Sequence, residues 1–253
     1  MFGTILEIHL MPQQVFLMRQ RLRGNSSTPL QAKADIAPED QMAWLSEACS
    51  SLLARDQPAG DLHFIFSDLW ARYDLITLGE ALLSDEDAML LARAQFSRHY
   101  PGTDAWPLRL ARQGSRMLAA ATDPALLAVI QQIASRSGKR LRLAEPLFAH
   151  VYDQYELAGT DGWVLLDEPG MLVVAFVEQG QLQGLHCQRY DDDRSEAAHL
   201  LLERQAALLS RPANEVRVCS FSGAPLALRE PWRTRQFRMV GHTLSKPKQH
   251  GPS

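Results

Sequence analysis

No stretch of this sequence is apolar for long enough to cross a bilayer as a helix. The longest such runs, Met171 to Val177 among them, are about a strand in length, whereas a spanning helix needs ~20 residues. Direct membrane insertion is therefore not expected. A secretory leader is not expected either: the first residues, Met1-Phe2-Gly3-Thr4-Ile5-Leu6-Glu7, hold no basic region, and Glu7 and His9 interrupt the apolar stretch that such a leader would need. The expected location is the cytoplasm. Cysteine is scarce, with Cys49, Cys187 and Cys219 odd in number and widely spaced, so reduced, packed thiols are expected rather than a disulfide framework. Neither sign of charge dominates, and a net charge of −3 leaves no basic footprint for phosphate backbones. Nucleic acid is not an expected partner. The sequence also lacks a G-x-x-x-x-G-K-[ST] loop, a G-x-G-x-x-G turn and a G-x-S-x-G elbow, which disfavours P-loop, Rossmann and serine-hydrolase chemistry.

What is present suffices for a globular protein: 253 residues, 46% of them hydrophobic, can bury one large core or two modest ones. The segments Gly3 to Leu10 and Gln14 to Arg19 read as two strands of a hairpin around Met11-Pro12-Gln13, and Leu30 to Ile36 as a third. Pro38-Glu39-Asp40 opens a helix to about Arg55, with Met42, Leu45, Cys49, Leu52 and Leu53 at helical spacing. Leu62 to Phe66 then suits a buried strand. The order βββαβ returns in the second half, as strands Trp163 to Leu166, Leu172 to Val177 and Leu182 to Gln188, a helix capped by Asp193 with Glu196 completing a capping box, and a strand from Val216 to Phe221. Between the two units lie a helix from Ser84 and Asp87 to about His99, a hairpin of Trp106 to Ala111 with Met117 to Ala121, and a helix opened by Asp123-Pro124 and closed by Gly138. A strand Arg140 to Leu143 and a helix from Glu145-Pro146 to about Leu157 finish this connecting section. The expected domains are residues 1–158, residues 159–241 and a disordered tail of 242–253.

Paired βββαβ units resemble the plan of the actin-like ATPase superfamily, which is built from two ribonuclease H-like lobes. The chain is most similar to the cytoplasmic actin-like proteins of type IV pilus and type II secretion platforms, the PilM and GspL families. The local texture that carries this is Phe64-Ile65-Phe66-Ser67-Asp68 followed by Trp70-Ala71-Arg72-Tyr73, the meander from Trp163 to Arg189, and the strand ending in Ser222-Gly223-Ala224. The resemblance implies an α/β, actin-like fold, with a second lobe truncated because only Trp232 to Met239 follows as a further β-like segment.

ATP-binding members of that superfamily use a D-x-G turn in each lobe, where the acid organises the metal and glycine lets backbone N–H groups reach phosphate. Here the first turn, Leu10-Met11-Pro12-Gln13, has neither acid nor glycine. The second, Asp167-Glu168-Pro169-Gly170, keeps both with an extra residue between them, and Ser222-Gly223 stands where the adenosine turn belongs. Asp167, Gly170, Ser222 and Gly223 are thus the vestiges of a cofactor site, with an ordinary hairpin turn and a strand-ending turn as their plain explanations. No cofactor is expected; ATP with magnesium is the disfavoured alternative. What the resemblance implies is a degenerate, noncatalytic adaptor that binds a cytoplasmic segment of a pilus or secretion inner-membrane protein, or the assembly ATPase.

Other candidate chemistry reduces to structure. His186-Cys187 with Cys219 would need two adjacent strand residues to point the same way, which the strand period forbids. The runs Asp85-Glu86-Asp87 and Asp191-Asp192-Asp193 read as helix-start acids that the macrodipole favours, the second also offering carboxylates to a divalent cation.

Overall fold

The computed structural model describes residues 4–20, 30–33, 40–56, 60–78, 84–154, 161–191, 193–221 and 225–236. The expected tail lies outside them. Thirteen strands and five helices, with one short 3-10 turn, make up the described residues.

The first lobe begins with β1 (Ile5–Met11) and β2 (Gln14–Gln20), an antiparallel hairpin in which Met11 faces Gln14 across Pro12 and Gln13. β3 (Leu30–Lys33) adds to β2, and the rest of the expected third strand lies outside the described residues. α1 (Gln41–Asp56) returns the chain to β4 (Asp61–Phe66), which runs parallel to β1. After an insertion, β8 (Leu141–Pro146) pairs parallel to β4, closing a five-stranded sheet of order β3-β2-β1-β4-β8. Glu145 and Pro146, expected to open the next helix, instead end β8, and α4 (Leu147–Gln154) starts directly after them.

The insertion between β4 and β8 is a unit with its own core. A 3-10 turn (Asp68–Trp70) leads into β5 (Ala71–Thr77), followed by α2 (Asp85–His99), the hairpin β6 (Leu108–Gln113) and β7 (Arg116–Thr122), and α3 (Pro124–Ser137). β5 joins the expected hairpin to make a three-stranded sheet β5-β7-β6, over which Ala88, Ala92 and Phe96 of α2 pack. α3 is set as its sequence requires. Asp123 accepts from Ala125 N–H at 2.8 Å, and Gly138 ends the helix in the left-handed region at φ 62°.

The second lobe repeats the first sheet. β9 (Gly162–Glu168), β10 (Met171–Glu178) and β11 (Gln181–Arg189) form an antiparallel meander; α5 (Arg194–Leu209) follows, then β12 (Glu215–Ser220) and β13 (Arg233–Gln236), both parallel. The strand order β11-β10-β9-β12-β13 matches that of the first lobe. Among the described residues this lobe is the shorter: they hold α5 as its one helix, and those between β12 and β13 contain none. The capping box is half formed. Asp193 accepts from Glu196 N–H at 3.0 Å, while the Glu196 carboxylate meets Arg229 at 2.5 Å.

One apolar cluster runs through both lobes, from Leu6, Ile8 and Phe64 to Leu166, Val173 and Cys219. A second, centred on Trp163, Trp232 and Leu202, fills the helix side of the second lobe. Among the described residues no helix is long and apolar enough to cross a membrane.

Candidate functional site in the seam between the lobes

The fold places the two hairpin turns, β1–β2 and β9–β10, at the same position of their respective sheets. In the first, Pro12 has no N–H to offer, and its carbonyl accepts from Gln41 Nε2 at 3.0 Å, so the turn is tied to the start of α1. The second differs from the sequence expectation in which residues make the turn. Asp167 and Glu168 are the last residues of β9, and only Pro169 and Gly170 turn, with Gly170 at φ 80°. Proline followed by a residue at positive φ is the type II turn pattern, which glycine adopts without strain, and a Cβ there would meet open space.

Asp167 is fully buried and committed within its own lobe. Oδ2 accepts from Ser220 Oγ at 2.5 Å and lies 3.4 Å from Arg194 Nη1, which links the end of β9 to the end of β12 and the first turn of α5. Ser222 and Gly223 lie outside the described residues, so the structure brings together Asp167 and Gly170 alone of the four predicted site residues.

The residue that crosses the seam is Glu168, which sequence reasoning read only as a spacer. Its Oε1 accepts from the backbone N–H of Asp68 at 3.2 Å, at the start of the 3-10 turn after β4. Asp68 is itself fully buried; Tyr73 Oη donates to its Oδ1, and Phe148 N–H to its Oδ2 at 3.0 Å. Burial, and then hydrogen bonds from Glu168, Tyr73 and Phe148 that act against it, leave Asp68 raised from 3.8 to about 6. Burial and the Asp68 charge push Glu168 well above the carboxylate range. Burial and the repulsion between two carboxylates this close oppose ionising both, so the two titrate as a pair and favour keeping one proton between them. Burial also lifts the Cys187 thiol far up and that of Cys219 to about 12, which makes both inert packing groups.

Further contacts close the seam along its length. Arg116 Nη1, at the start of β7, donates to Gln183 O of β11 at 2.6 Å, and Tyr152 Oη of α4 donates to Gly180 O at 3.4 Å. What the arrangement does chemically is join: Glu168 Oε1, Arg116 and Tyr152 each reach a group of the opposite side, while Glu168 Oε2 is buried without a hydrogen-bond partner among the described residues. Only the Asp167–Gly170 hairpin was legible as a candidate; Asp68 lay in a stretch quoted for its texture. The missed signal is Ser67-Asp68 directly after the buried run Phe64-Ile65-Phe66, a carboxylate placed where a core strand ends.

No protein-family model and no curated protein sequence matches this chain. Solved structures do. A Bacteroides thetaiotaomicron protein with an actin-like ATPase fold and unknown function superposes with a TM-score of 0.65 at 12% identity, over 85% of this chain and 81% of the other. The cytoplasmic domain of EpsL, an inner-membrane component of the type II secretion system of Vibrio cholerae, gives 0.64 at 8% identity over 94% and 91%. A chain of the PilM–PilN type IV pilus biogenesis complex gives 0.64 at 12% identity over 87% and 82%. At such identities the likeness is one of fold, and the fold is the actin-like ATPase fold.

Proposed function

We propose that this chain is a noncatalytic adaptor of a type IV pilus or type II secretion-like inner-membrane assembly platform. It works on the cytoplasmic side and binds a cytoplasmic segment of a platform protein, with the assembly ATPase as a further candidate partner. The observation that carries this reading is the use of the seam. Where an actin-like ATPase would hold phosphate and magnesium, Pro12 has no N–H, Asp167 is occupied by Arg194 and Ser220, and Glu168 reaches across to Asp68. A carboxylate already paired inside its own lobe is poorly placed to organise a metal. The kinship of fold with EpsL and PilM supports the choice of platform. Recognition of an extended peptide or a helix needs apolar pockets and main-chain pairing, and no bond-making step.

Isothermal titration tests this directly. With Mg-ATP no binding heat is expected. With peptides covering the cytoplasmic segments of pilus or secretion inner-membrane proteins of the same host, one peptide is expected to saturate the chain at one to one. Micromolar Mg-ATP binding abolished by Asp167→Ala would instead establish the alternative, an actin-like kinase or slow ATPase.

A further inference from the structure

On the first-lobe sheet, period-two alternation sets Leu6, Ile8 and Leu10 of β1 on one face and Glu7 and His9 on the other. The same phase on β4 puts His63 beside Glu7, its register partner, and Glu145 of β8 lies beside Ile65 one step along. This face is covered by α4, whose His150 sets its ring edge-on against those of His63, at 5.5 Å, and His9, at 6.2 Å. Three imidazoles and two carboxylates so meet under one short helix, on a buried surface where apolar side chains would be the ordinary solution.

The centre of the cluster is Glu145 Oε1, which lies 2.8 Å from His63 Nε2 and 2.8 Å from His150 Nδ1. All three donor atoms lie within 4.8 Å of one another. A tetrahedral zinc ion with bonds of about 2.0–2.1 Å keeps its ligands about 3.3 Å apart. Admitting the ion asks the Glu145 oxygen to draw back about half an ångström from each imidazole and the two imidazole nitrogens to settle to the same spacing; the protons of the two hydrogen bonds move to the other ring nitrogen or to water as three coordinate bonds form. The donor types fit: two neutral imidazoles and one carboxylate are a zinc set that leaves a fourth position for water. Behind His63, on its other nitrogen, Glu7 Oε1 lies 3.7 Å from Nδ1, a small shift away from the hydrogen bond by which an outer carboxylate fixes the tautomer of a metal-binding histidine. The Glu145 side chain is 16% exposed and so marks the way in from solvent, and exposed Asp153, in electrostatic contact with Glu145 and His150, adds negative charge at that mouth.

We propose that His63, Glu145 and His150 bind a divalent zinc ion, which staples the crossing helix α4 to strands β4 and β8. Each ligand comes from a different element, so the ion fixes the helix that leads from one lobe to the other. This does not depend on the adaptor reading.

The test uses the untagged full chain, stripped with a chelator and titrated with Zn²⁺ by calorimetry and with Co²⁺ by visible absorption. One equivalent of each metal is expected to bind, with the intense ligand-field bands of tetrahedral cobalt. His63→Gln and His150→Gln should each weaken zinc binding at least 100-fold, and Glu7→Gln about tenfold. His186→Gln, a change in the other lobe, should leave it unaltered. Circular dichroism checks that each variant is folded. Failure of the stripped wild-type chain to take up one equivalent, or octahedral cobalt spectra, overturns the proposal without reference to any variant. So does undiminished affinity in both histidine variants.

Discussion

The buried carboxyl pair at the seam shows how single residues decide what the protein tolerates. Asp68→Ala removes the acceptor for Tyr73 Oη and Phe148 N–H, and the orphaned donors should cost about 3 kcal/mol or more in urea denaturation, since hydrogen bonds to a buried charge are among the strong ones. Glu168→Gln keeps one donor and one acceptor in the same shape and should change stability by less than about 1 kcal/mol. A larger loss there would mean that the shared proton matters beyond its geometry. The pH dependence has two legs of opposite sign. Glu145, which burial raises but His150 and His63 pull down more strongly, falls from 4.5 to about 2, so its contribution is present above 4.5 and is lost as pH falls towards 2. Asp68 is raised from 3.8 to about 6, so its contribution is present below 3.8 and is lost as pH rises through 6; Glu168, raised with it, adds a loss of the same sign that extends to higher pH. Denaturation midpoints measured from pH 2 to 8 should show the acid leg flattened in Glu145→Gln and the leg between 4 and 6 flattened in Asp68→Asn.

At the scale of elements, α3 offers the clearest case of local sequence fixing local structure. Asp123→Ala loses the cap on Ala125 N–H and should cost about 1 kcal/mol. Gly138→Ala meets no neighbour but must hold φ 62°, which should cost about another 1 kcal/mol. The two sites sit at opposite ends of the helix, so the double variant should lose close to the sum, as thermal melts will test. These signals were legible because caps and turns act within a few residues. The sheet formed by β5 was not. Ala71 to Thr77 pairs with Arg116 to Thr122, and no periodicity within either segment names a partner so distant in sequence. The hairpin β6–β7 was readable because its two strands are neighbours in the chain.

For the whole molecule, the decisive fact is that one apolar cluster spans both sheets and the seam carries Glu168 to Asp68 across it. Two lobes with separate cores would unfold separately; a shared core should unfold as one. Far-UV dichroism and tryptophan fluorescence, the latter reporting Trp44, Trp70, Trp106, Trp163 and Trp232 in both halves of the chain, should therefore give superimposable urea curves. Two resolved transitions would show instead that the seam is weaker than its hydrogen bonds suggest. The adaptor reading also belongs at this scale, because a closed seam leaves outer faces and strand edges as the surfaces on which a partner segment can dock.

The order of elements, the caps of α2, α3 and α5, and the absence of an acid and a glycine in the first hairpin turn were determined by the sequence alone. All of them depend on periodicity and side-chain chemistry over a few residues, and local physics suffices to read them. Tertiary structure decided that Asp167 serves Arg194 and Ser220, that Glu168 reaches across the seam to Asp68, and that Glu7, His63, Glu145 and His150 share one buried face. Those outcomes join residues from opposite ends of the chain. What brings them together is the pairing of β4 between β1 and β8 and the packing of one lobe on the other, whose free energy comes from burying both sheets at once and is visible in no single segment.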